Sequence, residues 1–324
     1  MAWRILAGLY VASGMGRIRH RGRVVILTYH RVVSDHMMMD EHIQPGMYVR
    51  GQSFEAHVAY LQKRFTIIAL DELLDLWQTS RLKRDQSYCV ITFDDGWQDN
   101  YQFAFPVLAK YHVPATIFLA TDFIGTARWF WPDQMMFLLE KGRQHTAGAA
   151  DQQSFSSALE ETVGVTLSAA DGMFRRVETG APVDPNAIIE FCKGVEVSSI
   201  HQIIDRLSRA LHVELPTHRV LLNWDEVREM AGKGVTFGSH SVSHRIMTQI
   251  PLSDVKIELI DSRKTMLEQG IKPVPVFCYP NGNFDRDIQG LVRESGYHAA
   301  VGCEVGLEPD RPNDLFALKR ISVH

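Results

Sequence analysis

Short apolar runs that read as β-strands alternate with helical segments along much of this chain. Runs rich in β-branched and aromatic residues are followed, within a few residues, by segments with the three-to-four-residue apolar spacing of helices. The predicted strands cover residues 24–29, 66–70, 88–93, 115–120, 234–238, 274–279 and 316–323. This alternation predicts parallel strands with helices outside them, and therefore an α/β fold. If these strands close on one another, they form a (β/α) barrel.

The alternation stops between residues 126 and 221, where the chain is polar and helical in character without a clear series of strands. A barrel of this kind reaches about 250 residues or more when it carries insertions. The 324 residues therefore fit one barrel over 24–324, interrupted by a mostly helical insertion at 126–221. The remaining segment, 1–23, is predicted to form a separate N-terminal helix.

The N-terminal segment joins a short apolar stretch to a basic cluster. Arg17, Arg19, Arg21 and Arg23 follow the apolar residues, and no acidic residue precedes Asp35. In a secretory signal peptide the charge comes first and a small-residue cleavage site follows. The observed order fits an interfacial helix on anionic lipids better, and a surface helix that covers the bottom of the barrel is the alternative. We expect a cytoplasmic protein, peripheral at the inner membrane face if this helix binds lipid, and an exported form stays open.

The overall composition is that of a globular protein, with 45% hydrophobic and 22% charged residues. A net charge of −4 gives no reason to expect nucleic acid as a partner, and the arginine cluster lacks interleaved aromatic residues. The four cysteines show no C-x-x-C spacing, which argues against a zinc knuckle or a redox pair.

Two short motifs carry the candidate chemistry. Asp94 and Asp95 directly follow the run 88–93, and His240 and His244 follow the run 234–238. Taken alone, Asp-Asp-Gly is often a strand-to-turn junction, and a histidine pair four residues apart often lies on a helix surface. Together they suit a hydrolytic metal site, because one carboxylate can join the imidazoles on a divalent metal while the other moves protons. In a barrel, all four would lie at the carboxyl ends of strands, where barrel enzymes build their sites.

These motifs resemble those of the polysaccharide deacetylase family, also known as carbohydrate esterase family 4 or the NodB homology domain. Residues 92–96 (TFDDG) are similar to its first motif, T-F-D-D-G, and residues 240–244 (HSVSH) to its second, H-[ST]-x-x-H. Residues 277–282 (FCYPNG) resemble its third, usually R-x-P-x-G. The resemblance covers residues 24–125 and 222–324, and it implies a deformed (β/α) barrel of the polysaccharide deacetylase type with a helical insertion.

The resemblance implies a role for each motif residue. Asp95, His240 and His244 would be the metal ligands, and Asp94 would be the general base that deprotonates the attacking water. Sets of imidazole and carboxylate favour Zn²⁺, while Co²⁺, Ni²⁺ and Fe²⁺ also fit the ligand count. The metal and a backbone N–H near Tyr279 would hold the oxyanion of the tetrahedral intermediate. The expected substrate-binding residues are Trp97, Tyr279, Pro280, Asn281 and Gly282.

Two positions depart from the family pattern. Cys278 replaces the arginine of the third motif, so the cation that orients the base must come from elsewhere. Arg320, in the last predicted strand, is the first candidate and Arg31 the second, and a surface arginine at a strand end is the structural alternative for each. The late leucine-histidine motif that supplies the general acid is also not evident. Some family members have a permuted motif order, so His30 after the first strand is the expected acid, with a structural histidine as the alternative.

The resemblance implies a metal-dependent hydrolase that removes an N-acetyl group from an amino sugar in a polysaccharide, oligosaccharide or lipid-linked glycan precursor. An N-deformylase of a lipid-linked amino sugar is a close variant, because the same site needs only a smaller acyl pocket. A catalytically silent carbohydrate-binding protein is the hypothesis from a different class, supported by Cys278 and the missing acid motif. The expected partners are a carbohydrate substrate and a peripheral membrane contact through 1–23, without nucleic acid.

Overall fold

The computed structural model describes residues 22–40, 43–145 and 184–324. The strands within these residues are, in chain order, β1 (Val24–Tyr29), β2 (Arg31–Val33), β3 (Tyr48–Arg50), β4 (Thr66–Ile67), β5 (Tyr88–Phe93), β6 (Ala115–Leu119), β7 (Val235–Ser239), β8 (Val276–Cys278), β9 (Ala299–Val305) and β10 (Leu318–Ser322). Seven of them are parallel neighbours in the order β1-β10-β9-β8-β7-β6-β5, and β5 pairs again with β1. This pairing closes the barrel and confirms the predicted fold class.

The two central strands show why the sequence favours a parallel barrel. All six residues of β1 and all six of β5 are buried, and the two strands pair along their whole length. Continuous apolar runs are typical of parallel strands, since both faces of the sheet are covered. The short strand β4 pairs with the start of β5, while β2 and β3 form a separate two-stranded sheet.

The strand β9, between β8 and β10, is not among the predicted strands. Its sequence, AAVGCEV, has two alanines and a glycine, which have low β-propensity, and its last three residues are exposed. The predicted strand at 66–70 is shorter than expected, because a helix already begins at Leu70.

Helices connect many of these strands along the chain. The α-helices of the described residues are α1 (Asp35–Asp40), α2 (Gly51–Gln62), α3 (Leu70–Gln78), α4 (Phe105–Tyr111), α5 (Trp131–His145), α6 (Pro185–Cys192), α7 (Val197–Leu211), α8 (Trp224–Ala231), α9 (Leu252–Glu268) and α10 (Arg286–Glu294). A capping box at Asn223 and Glu226 begins α8, and the Asp285 side chain caps α10. Among the described residues, none of these helices has the length and apolar character to cross a bilayer.

The described chain divides into two compact units. The first contains the barrel and consists of described residues up to Asp35, together with 46–126 and 219–324. The second consists of the described parts of 36–45 and 127–218, where α5, α6 and α7 share a core of their own around Met135, Ile189 and Ile203. The predicted N-terminal helix falls almost entirely on residues 1–21, outside the described residues, so it stays a prediction.

Candidate active site

The two motif pairs lie at the same end of the barrel. Asp94 and Asp95 follow β5 directly, and His240 follows β7 directly. Since β6 lies between β5 and β7 and all three strands are parallel, both turns emerge at the carboxyl end of the sheet. Residues 240–246 form a loop rather than a helix, so the histidine pair is not a helix-surface pair.

Asp95, His240 and His244 form a tight cluster. Asp95 Oδ1 lies 3.4 Å from His240 Nε2 and 3.2 Å from His244 Nε2. The two imidazole Nε2 atoms are 3.2 Å apart. Asp95 and His240 are buried and His244 is partly buried. Three potential ligand atoms therefore converge on one point from two separate turns.

The tautomer of His240 suits a metal ligand. Its Nδ1 lies 2.8 Å from the carbonyl oxygen of Cys278, which can only accept a hydrogen bond. Nδ1 therefore carries the hydrogen, and in the neutral ring Nε2 presents a lone pair toward Asp95 and His244. A carboxylate oxygen and two imidazole nitrogens that face one another fit a divalent cation, so the donor set agrees with the metal site that the sequence predicts.

The charges of the cluster are coupled. Burial opposes ionisation of Asp95, but its hydrogen bonds with His240 and His244 outweigh burial and hold its pKa well below the ordinary value. Burial also opposes a charge on His240, yet the electrostatic field of its neighbours, Asp95 among them, raises its pKa well above the ordinary value. A metal ion therefore has to compete with a proton for His240 Nε2.

Glu258, a buried carboxylate on α9, holds the loop between the two histidines. Its Oε2 accepts hydrogen bonds from the backbone N–H groups of Val242 and Ser243, each at 2.8 Å, and Ser243 Oγ contacts Oε1. The loop bends sharply, because Ser241 and His244 have positive φ values of 70° and 58°. Glu258 thus stabilises the strained turn that directs His244 back toward His240.

Asp94 forms a buried ion pair with Arg320. The two carboxylate oxygens accept from Nη1 and Nη2, each at 2.7 Å, in a bidentate arrangement. Burial alone would raise the pKa of Asp94, but the adjacent guanidinium lowers it to about 2. Asp94 is therefore ionised at neutral pH.

Arg320 lies within the barrel and contacts Cys278 as well as Asp94. It also donates to Thr28 Oγ1 at 3.1 Å, to Thr92 Oγ1 at 3.3 Å and to the carbonyl oxygen of Gly302 at 2.9 Å. Cys278 Sγ lies 3.3 Å from its Nη2. The arginine that contacts Asp94 thus lies on the last strand in this chain, whereas the family pattern has an arginine in the third motif.

Arg31, the second candidate for this role, lies elsewhere. Its Nε donates to Asp99 Oδ2 at 2.7 Å, and the pair is buried. Of the two predicted candidates, Arg320 is therefore the one that contacts Asp94.

His30 follows β1 at the same end of the barrel. Its Nε2 lies 4.0 Å from Asp94 Oδ2, and 23% of its side chain is exposed. Its carbonyl oxygen accepts a hydrogen bond from Asn100 Nδ2 at 2.8 Å, which ties the backbone of this residue to the chain that follows the first motif. The imidazole is thus next to Asp94 and accessible from outside, as a group that meets substrate must be.

Tyr279 does not present a binding group, contrary to the expectation. Its side chain is completely buried, and its hydroxyl donates to the carbonyl oxygen of Phe316 at 3.0 Å. Its backbone N–H donates to the carbonyl oxygen of Val301 at 3.1 Å. The expected oxyanion donor near Tyr279 would therefore be another N–H of this turn.

The rest of the third motif forms a tight turn. Pro280 is buried, whereas Asn281 is exposed and has a positive φ of 56°. Gly282 has a φ of +75°, and a Cβ atom there would lie 2.6 Å from the side chain of Cys303. Glycine is therefore required at this position, and of these three residues Asn281 is the one whose side chain is exposed.

Trp97 is covered rather than open to a substrate. Its side chain is only 3% exposed, and its indole Nε1 donates to Asp95 Oδ2 at 2.9 Å. The indole N–H therefore contacts a predicted metal ligand, and little of the Trp97 side chain is left exposed for the substrate contact that the sequence predicts.

Sequence reasoning overlooked Glu258, although the helical pattern carries a signal for it. The buried positions of α9 are Val255, Glu258, Leu259, Ser262 and Met266, spaced by three and four residues. A glutamate in the buried stripe of an amphipathic helix is rare unless it is paired. Such a position therefore predicts a buried partner for its carboxylate.

Comparisons with known proteins agree with the motifs. The family model for polysaccharide deacetylase matches residues 81–167 and 202–300. YxkH of Bacillus subtilis (strain 168), whose name assigns it to the polysaccharide deacetylases, is 32% identical over 301 residues, which are 93% of this chain and 71% of that protein. A stretch of 82 residues is 34% identical to the poly-beta-1,6-N-acetyl-D-glucosamine N-deacetylase of Staphylococcus epidermidis, covering 25% of this chain and 28% of that enzyme.

A solved structure shares the fold. The Streptococcus pyogenes deacetylase PplD, determined in complex with acetate, superposes with a TM-score of 0.57 and 16% sequence identity. The match covers 93% of this chain and 92% of PplD. At this identity, the likeness supports the barrel architecture alone.

Proposed function

This chain belongs to the polysaccharide deacetylase family, and we propose that it uses a divalent metal to remove the N-acetyl group of an amino sugar. The substrate would be a polysaccharide, an oligosaccharide or a lipid-linked glycan precursor. The observation that carries the proposal is the pair of adjacent carboxylates with different partners. Asp95 faces two imidazoles, whereas Asp94 faces an arginine. The same division of labour is what a metal-dependent amidase needs.

Asp95, His240 and His244 would hold the metal, and Zn²⁺ is the first candidate because this set combines imidazole and carboxylate ligands. When bound, such an ion polarises the acetyl carbonyl and brings the pKa of a bound water toward about 7. The contact of His240 Nδ1 with the Cys278 carbonyl oxygen supports this assignment, since metal-binding histidines generally donate their other ring N–H to such a group.

Asp94 would accept the proton of the attacking water. Its carboxylate is anionic at neutral pH because of Arg320, and each carboxylate oxygen keeps a second lone pair beside the one that faces the guanidinium. His30 Nε2 lies 4.0 Å from Asp94 Oδ2 and would carry the proton on toward the leaving amine.

His30 would protonate the leaving amine. Hydrolysis of the amide breaks the bond between the acetyl carbon and the sugar nitrogen, and the nitrogen needs a proton as it leaves. Support for His30 comes from its position next to Asp94 and from its partial exposure. The products would be acetate and a free amino sugar.

A catalytically silent carbohydrate-binding role has less support. Its case depends on Cys278 in place of the third-motif arginine, and Arg320 contacts Asp94 in spite of that replacement. An N-deformylase would use the same residues and differs in the acyl group alone. A peripheral membrane contact of residues 1–23 would suit a lipid-linked substrate, and it remains a proposal.

The test is the release of acetate and formate by purified, zinc-loaded protein. The substrate panel holds N-acetylglucosamine oligomers, nucleotide sugars and lipid-linked N-acyl sugars, and a chelator-treated sample of the same protein is the control. We expect acetate release that the chelator abolishes. Release of formate alone would identify the deformylase, and no release from zinc-loaded, folded protein would contradict the proposed activity on this panel.

A further inference from the structure

The indole of Trp97 contacts one carboxylate oxygen of Asp95, and the other oxygen faces the two imidazoles. The indole Nε1 donates to Oδ2 at 2.9 Å, while Oδ1 faces His240 and His244. Without that donor, the carboxylate could rotate about its Cβ–Cγ bond and offer either oxygen to the imidazoles. The hydrogen bond therefore fixes which oxygen faces the cluster and in which plane it lies.

Arg31 and Asp99 hold the indole in place. The guanidinium carbon of Arg31 lies 4.5 Å from the centroid of the Trp97 ring, and its Nε donates to Asp99 Oδ2 at 2.7 Å. Asp99 Oδ1 in turn accepts the backbone N–H of Val32 at 3.0 Å. Trp97, Arg31 and Asp99 are 3%, 6% and 1% exposed, so solvent does not screen these contacts. A continuous series of contacts thus runs from Asp99 to Asp95.

The cation above the ring has an electronic consequence. A guanidinium over an indole face is attracted to its electron density. The cation draws electron density of the ring toward itself, so the indole N–H becomes a stronger donor to Asp95. A stronger donor holds the carboxylate more firmly in one orientation, and orientation is a known way in which outer partners tune a metal ligand.

We propose that Trp97 is a positioning residue for the metal ligand Asp95, with Arg31 and Asp99 as its clamp. The proposal rests on the proposed function, since it assumes a divalent ion at Asp95, His240 and His244. A merely structural indole would lower the stability of the protein when replaced and leave metal affinity unchanged. A positioning indole changes the affinity itself.

The test compares two tryptophan-to-phenylalanine variants. Trp97→Phe removes the N–H donor and keeps an aromatic ring. Trp77→Phe is the matched control, because Trp77 is 7% exposed and its Nε1 has no hydrogen-bond partner among the described residues. Zinc dissociation constants are measured by competition with a chromophoric chelator at fixed pH. We expect Trp97→Phe to weaken zinc binding by about 10- to 100-fold, the usual cost of losing an outer partner, and Trp77→Phe to leave it unchanged.

A second measurement uses the wild-type chain, in case Trp97→Phe does not fold. The protein has six tryptophans, so its nitrogen-15 NMR spectrum has six indole N–H signals. Titration with zinc is expected to shift the Trp97 signal, assigned through its contacts with Asp95. The inference would be overturned if Trp97→Phe kept its zinc affinity or if both variants lost it equally. A Trp97 signal that does not shift on addition of zinc would also overturn it. A wild-type protein that fails to bind zinc would contradict the proposed function as well, so the two failures are distinguishable.

Discussion

Removal of the Arg320 guanidinium should shift the acid limb of the pH–rate profile. Arg320→Met keeps much of the side-chain volume and leaves Asp94 buried without its partner. Breaking a buried ion pair by removing one member costs about 3–5 kcal/mol. Because about 1.4 kcal/mol corresponds to one pKa unit, the pKa of Asp94 should rise by about 2–4. From its native value of about 2, it should therefore reach the range of about 4–6.

The pH dependence of the protein's stability should also change, because it follows from the pKa of Asp94. In the wild type, the pKa of Asp94 is lowered from 3.8 to about 2, so its contribution to stability is present above pH 3.8 and is lost as the pH falls toward 2. In Arg320→Met the folded-state pKa exceeds the unfolded value. The variant should therefore lose stability as the pH rises through about 4–6, which is the opposite slope.

The assay measures kcat/KM for acetate release between pH 4 and pH 8 with zinc occupancy determined at each point, beside thermal melts over the same range. Arg81→Met is the control, since it removes a cation that pairs with Asp75 at an exposed site. Exposed pairs contribute only about 0–1 kcal/mol, so its profile should match the wild type. An acid limb in Arg320→Met that coincides with the wild-type limb would refute the assignment of Arg320 as the cation that sets Asp94.

Four further outcomes are expected. His30→Gln should lower kcat by about 10²- to 10⁴-fold on sugar amides, and a substrate with a better leaving amine should recover much of the loss if His30 is the acid. Glu258→Ala leaves the partly buried N–H groups of Val242 and Ser243 without their acceptor, at up to about 1–3 kcal/mol each, so its melting temperature should fall below that of Glu258→Gln. Gly282→Ala should destabilise the fold far more than Gly46→Ala, because both have positive φ but only Gly282 has a neighbour within 4 Å of the added Cβ; equal losses would contradict the steric argument. Zinc binding should weaken as the pH falls, because protons compete with the metal for the imidazole nitrogens of His240 and His244, and calorimetry in buffers of different ionisation enthalpy measures any proton that binding releases.

The barrel could be predicted because most of its strands have a strong local signal. Runs such as VVILTY in β1 and YCVITF in β5 are apolar on both faces, and each is followed by a polar turn. The strand β9 could not be found in this way, since its alanines and glycine carry little propensity and its burial comes from its neighbours β8 and β10. Pairing in the tertiary structure, rather than local preference, makes it a strand.

The site residues likewise differ in whether their signal is local or comes from the tertiary structure. Asp94, Asp95, His240 and His244 could be named because each pair lies in a short motif after a strand. The contact between Arg320 and Asp94 joins residues 226 positions apart, and it forms because closure of the barrel places β10 beside β1 and β1 beside β5.

The direction of a side chain at a strand end is harder to predict. Trp97 and Tyr279 were both expected to face a substrate, and both are buried. Each has a polar group that found a partner inside the protein: Asp95 for the indole and the Phe316 carbonyl oxygen for the phenol. Sequence spacing places such residues near the site without indicating on which side of the backbone they point.

The central claim is that the two adjacent carboxylates have separate roles, and one pair of variants tests it most directly. Zinc content and acetate release are measured together for the wild type, Asp94→Asn and His240→Ala, all purified and reconstituted in the same way. We expect Asp94→Asn to retain zinc and lose turnover, and His240→Ala to lose both. Near-normal turnover in zinc-loaded Asp94→Asn would contradict the account, because the protein would then hydrolyse the amide without the carboxylate that Arg320 holds.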